Sequence, residues 1–110
     1  MSENFQQEMN PGNIREAELV VCIPSYKEAD SIAYPVTQAD EGLLQYFGDR
    51  KAVIINCDND SPDNTREAFL NTPTQTKKIY LSTPPGTKGK GNNFRNLFQK
   101  VLDLRAKAVV

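Results

Sequence analysis

Three polar, turn-rich segments carry the side chains able to do chemistry in this chain. The first is Pro24-Ser25-Tyr26-Lys27-Glu28-Ala29-Asp30. The second is Asp58-Asn59-Asp60-Ser61-Pro62-Asp63-Asn64-Thr65. The third is Pro84-Pro85-Gly86-Thr87-Lys88-Gly89-Lys90-Gly91-Asn92-Asn93. Two are rich in carboxylates, which accept hydrogen bonds from base N–H and ribose hydroxyl groups. The third combines lysine with glycine, and lysine together with the free amides of a helix start holds phosphate. One rim bearing all three would suit a nucleotide. Other chemistries drop out. The chain has no histidine, so serine-histidine triads, histidine zinc sites and imidazole bases are excluded. Cys22 and Cys57 make neither a disulfide scaffold nor a complete zinc site; both fall in apolar runs and read as inert core thiols.

Look-alike motifs fail on particular residues. Asp58-x-Asp60-x-x-Asp63 has the start of a calcium loop, but an EF-hand needs glycine where Asp63 sits and glutamate where Phe69 sits. Gly86 to Asn93 is no Walker loop, because Asn92 occupies the lysine position. Gly89-Lys90-Gly91-Asn92-Asn93-Phe94 breaks the dinucleotide fingerprint at its third glycine and follows the wrong strand.

The elements that must position these segments alternate regularly. Leu19 to Ile23 is an apolar, β-branched run closed by Pro24 and reads as a buried strand. Ile32, Val36, Ala39, Leu43 and Tyr46 recur at helical steps and predict a helix over 31–47. Ala52 to Cys57 reads as a second strand, and Ser61-Pro62 as the cap and first turn of a helix reaching Leu70. Lys78 to Leu81 is the third strand. Phe94, Leu97, Phe98, Val101 and Leu102 form the stripe of a helix over 92–104, with Phe94 and Phe98 taken as core. Ala106 to Val110 starts a fourth strand. Alternating strands and helices favour a parallel sheet with helices on its faces, so the expected fold is α/β and Rossmann-like. Ligands of such sheets sit outside the carboxyl ends of the strands, where all three polar segments fall.

At 110 residues the chain fits one domain. Residues 1–17, with the turn Asn10-Pro11-Gly12, read as a flexible leader, and 18–110 as the folded part. Because Val109-Val110 opens a buried strand, the chain is expected to be a piece of a longer protein, with an unfinished sheet edge at which a second copy could pair. The formal net charge of -1 argues against general nucleic-acid binding. It hides an asymmetry, since residues 77–100 contain lysines and arginine but no acid. No apolar run approaches a membrane span, and the polar start lacks a signal-peptide core, so the expected location is cytoplasmic.

Three of these segments resemble, in order, the motifs of family 2-type glycosyltransferases of the GT-A fold. Ile23-Pro24-Ser25-Tyr26-Lys27-Glu28 is similar to the opening Pro-x-Tyr-Asn-Glu, and Cys57 to Thr65 to Asp-Asp-Gly-Ser-x-Asp-x-Thr. Gly86 to Gly91 resembles the Lys-Gly segment of enzymes such as those making glucosyl-3-phosphoglycerate and mannosylglycerate. The resemblance spans about 18–110 and implies the N-terminal, nucleotide-binding half of a GT-A fold. Such enzymes move a sugar from a nucleotide-diphosphate donor, here UDP- or GDP-linked, to an acceptor hydroxyl. It implies that Pro24, Ser25, Tyr26 and Glu28 border base and ribose, that Asp58 accepts from the base with Asn59 beside it, and that Lys90 or Lys88 approaches the base or diphosphate. Two departures are Lys27 for the usual asparagine and Asp60 for the usual glycine; Asp tolerates a left-handed backbone. The family's divalent metal, Mg or Mn, is held by an Asp-x-Asp motif after the fourth strand, so no metal ligand or catalytic residue is expected in these 110 residues. A non-catalytic nucleotide-binding or regulatory module is the alternative. A nucleotidyltransferase ranks last, because Pro24 to Asp30 has no glycine.

Overall fold

In a computed structural model that describes residues 7–83 and 90–110, five strands form one mixed, mostly parallel sheet flanked by three helices. They are β1 (Gln7–Met9), β2 (Leu19–Ser25), α1 (Ala33–Phe47), β3 (Ala52–Asp58), α2 (Thr65–Asn71), β4 (Lys77–Ser82), α3 (Lys90–Asp103) and β5 (Ala108–Val109). The strand order is β1-β4-β3-β2-β5. β2, β3, β4 and β5 run parallel, and β1 lies antiparallel on the outer edge of β4. This is the α/β sheet expected from the alternation of apolar runs and helices.

Strand alternation divides the core in two. Val53, Ile55, Ile79 and Leu81 point to one face and pack with Leu97 of α3 and with Leu104 just after it. Ile54 and Tyr80 point to the other and pack with Val36 and Leu43 of α1 and Phe69 of α2. β3 is covered on both sides, so its run can be apolar throughout, as buried parallel strands are.

Several boundaries and faces differ from the sequence reading, each for a physical reason. β2 continues through Pro24 to Ser25. The amides of its even-numbered residues address the β5 side, as Cys22 does in donating to the Val110 carbonyl at 2.9 Å. Position 24 lies beyond that last bond, so a missing N–H costs no ladder contact. α2 starts at Thr65 rather than at Ser61, because the Ser61 hydroxyl is engaged elsewhere. In α3 the buried positions are Leu97 and Lys100, continued by Leu104 just beyond the helix, whereas Phe98 and Leu102 are 62% and 71% exposed. Phe98 is therefore not core. Tyr46 of α1 is likewise exposed.

Within the stretch expected as a flexible leader, Gln7–Met9 forms β1, with Glu8 opposite Leu81 of β4. A second tie comes from α3, where the Lys100 ammonium donates to Glu8 at 2.9 Å. Asn10 closes the following turn, its side chain bonding both backbone groups of Ile14.

Candidate functional site

The parallel register aligns the ends of the three central strands. Ser25 is level with Asp58, and Asp58 with Ser82. All three side chains fall on the α1/α2 side of the sheet. Just below them, Asn56 and Tyr80 share that side and are also buried. A polar row therefore crosses the carboxyl rim of the sheet above an apolar layer.

Asp58 is the centre of this row and has no solvent exposure. Its Oδ1 accepts from the hydroxyls of Ser25 at 2.7 Å and Ser61 at 2.6 Å. Its Oδ2 accepts from the Ser61 amide at 3.1 Å and the Tyr80 phenol at 2.8 Å. A carboxylate has about four lone-pair sites, and these donors occupy them. Burial, reinforced by the neighbouring carboxylate, pushes the Tyr80 phenol well above its ordinary value. Asn56 completes the network, donating to the Ile23 carbonyl at 2.8 Å and the Ser25 hydroxyl at 2.9 Å.

Above the row, the second polar segment holds the first in place. Three successive amides are received by three side chains. Lys27 N–H donates to Ser61 Oγ at 2.9 Å, Glu28 N–H to Thr65 Oγ1 at 3.0 Å, and Ala29 N–H to Asp63 Oδ2 at 3.3 Å. Each hydroxyl in turn donates to a carboxylate: Ser61 to the buried Asp58, and the buried Thr65 to the exposed Asp63. The Asp63 carboxylate also receives the Thr65 amide in an Asx turn, and these bonds, the Thr65 hydroxyl foremost, hold its carboxyl below the usual range. Backbone ties close the assembly, with Asn59 N–H on Ser25 O at 3.0 Å and Thr83 N–H on Asp58 O at 3.1 Å. Lys27 and Asp60 are left-handed, at φ 57° and 54°. They are the positions where Lys replaces the usual asparagine and Asp the usual glycine of the resembled motifs.

The predicted residues now fall into groups. Pro24, Ser25, Tyr26, Glu28, Asp58 and Asn59 come together at one rim. Pro24 and Tyr26 are exposed, Glu28 and Asn59 half-buried, and Ser25 and Asp58 buried. Tyr26 is 39% exposed, with the Lys27 ammonium 5.3 Å from its ring centroid. Glu28 accepts from Ser31 Oγ at 2.7 Å at the approach to α1. Lys88 and most of the basic segment lie outside the described residues. Lys90 opens α3, and its side chain is likewise outside them. Asn56 and Tyr80 were missed as members of the site. The available signal was a polar residue inside an otherwise apolar run, Asn56 among Ile54, Ile55 and Cys57.

The rim carboxylates do not fit a metal. Asp58 is saturated, and Glu28 and Asp63 accept from neighbouring side chains. Among the described residues no group of three or more His, Cys, Asp or Glu comes together. A cleft of about 380 Å³, lined by Leu43, Phe47 and Lys77, lies at the opposite ends of the strands and is separate from the rim. No helix among the described residues is long and apolar enough to cross a membrane. No family model, curated protein or solved structure matches this chain.

Proposed function

We propose that the carboxyl rim of the sheet binds the nucleotide part of a nucleotide-diphosphate sugar, UDP- or GDP-linked, as in the N-terminal half of a GT-A glycosyltransferase. One observation carries this reading: Ser25, Asp58 and Ser82 share a register row, beneath two loops pinned to each other by successive backbone amides. Parallel α/β sheets bind ligands at this rim, and a pinned loop loses little entropy on binding. Two of the motifs resembling family 2-type enzymes, Ile23 to Glu28 and Cys57 to Thr65, fall on these strand ends.

Within this reading, Asp58 acts by position. With its acceptor sites filled from inside, it fixes the first loop, the second loop and β4 relative to one another. The surfaces offered to base and ribose are Tyr26, Glu28 and Asn59, bordered by Pro24 and by the backbone of Ser25. Lys88 and Lys90 are assigned to the diphosphate. The engaged state of the rim carboxylates favours binding over bond-breaking by these residues, which keeps a non-catalytic nucleotide-binding module as the second reading.

Titration with UDP and GDP, followed by amide NMR, tests the proposal. Shifts are expected at Tyr26 to Glu28, Asp58 to Asn59 and Thr87 to Gly91. Asn59→Ala should weaken binding about three- to tenfold, the worth of one neutral hydrogen bond. An unchanged spectrum at millimolar ligand overturns the reading.

A further inference from the structure

Below the rim, on the opposite face of the sheet, Cys22 of β2 and Cys57 of β3 meet with their sulfurs 3.3 Å apart. Neither is joined in a disulfide. Cys57 belongs to the core beneath α3 and is 2% exposed, whereas Cys22 packs at the margin of that core and is only half-buried. We propose that this pair is a thiol-oxidation site, in which Cys22 reacts with a hydroperoxide and Cys57 is the resolving thiol.

Accessibility decides the order of events. A thiol half-open to solvent meets the oxidant first, and a buried one behind it serves second. The hydrogen bond shared with Cys57 favours the thiolate of Cys22 and lowers its pKa, against the opposing effect of burial. The Cys22 thiolate attacks the outer oxygen of the hydroperoxide, breaking the O–O bond. Sulfenic acid forms at Cys22, and the alkoxide or hydroxide leaves and takes up a proton. The Cys57 sulfur then attacks the Cys22 sulfur, an S–S bond forms, and the sulfenic hydroxyl departs as water with the Cys57 proton. Two thiols are oxidised and one peroxide is reduced. The 3.3 Å separation lies in the range of near-attack geometry.

The register adds a second property. Cys22 is level with Ile55 and Cys57 with Pro24, so the two are diagonal partners. Strands about 4.8 Å apart and two residues of rise set such Cα atoms about 8 Å apart, beyond the relaxed span of a disulfide. Closure therefore draws β2 and β3 out of their ideal register, and strained bonds of this kind are readily reduced. The site is reversible, and it adjoins Asp58 through the chain itself.

The test treats the whole chain with hydrogen peroxide under native conditions and reads intact mass and thiol content. The wild type should lose about 2 Da and both titratable thiols, recovering both with dithiothreitol. Cys57→Ser should instead give a sulfenic acid at Cys22 that dimedone captures, and Cys22→Ser should give no dimedone adduct. Circular dichroism verifies that each variant is folded; Cys57→Ala replaces Cys57→Ser if the latter is not. Retention of both thiols by the folded wild type, equal labelling of the two single variants, or a disulfide formed only between chains would each overturn the proposal.

Discussion

A buried carboxylate that receives four donors is a structural joint. Removing Asp58 leaves the hydroxyls of Ser25, Ser61 and Tyr80 without their shared acceptor, and unsatisfied buried donors are costly. Asp58→Ala should therefore lower stability by about 3 kcal/mol or more, measured by urea denaturation. A residue that only touched ligand would leave stability unchanged. Tyr80 gives a pH test of the same joint. Its folded pKa is raised, first by burial and then by Asp58, so the native state holds the phenolic proton more tightly than the unfolded chain. The linked stability is complete below the unfolded value near 10 and is lost as pH rises from there toward the folded value. Phenolate absorbance from this tyrosine should appear only with alkaline unfolding, and Tyr80→Phe should remove that late component.

Helix α2 shows how an element can depend on one distant side chain. It has seven residues, too few for independent stability. Lys78 of β4 reaches its end, donating from Nζ to the carbonyls of Phe69, Leu70 and Thr72 at the helix terminus, where the Thr72 amide also bonds the Phe69 carbonyl. Burial lowers the pKa of this ammonium, and the Asp40 charge opposes that effect. Lys78→Met keeps the apolar stem but loses the cap, and should cost about 1–3 kcal/mol in thermal or urea unfolding. The longer elements were legible in the sequence because their apolar periods are strong: β2, β3, β4 and the helices α1 and α3 stand where those runs predict. The start of α2 was not. Ser61-Pro62 has the chemistry of a cap and first turn, but Asp58 recruits the Ser61 hydroxyl and the helix begins after Asn64. Nor was β1 legible, since Gln-Glu-Met has no strand pattern and acquires its conformation from β4 and Lys100. The convergence of the first two loops was readable from strand order. The inward use of Asp58 was not, because a carboxylate at a strand end looks the same in sequence whether it faces ligand or core.

Across the whole molecule, the sheet is finished differently on its two edges. β1 covers β4 over three residue pairs and is held from above by Lys100. Deleting residues 1–10 should bare the β4 edge and promote association between copies, seen as a concentration-dependent rise in sedimentation coefficient. An unchanged monomer would show that the β4 edge is protected without β1. On the far side, β5 pairs with β2 only at Leu19 and Val20, and the Cys22 amide then takes the Val110 carbonyl. The next residue of β2 to address that side is Pro24, which offers no hydrogen. Any neighbour laid along β2 finds the zipper missing a tooth before it reaches the rim. The proline thus withholds one rung from that side of β2, two residues short of Tyr26.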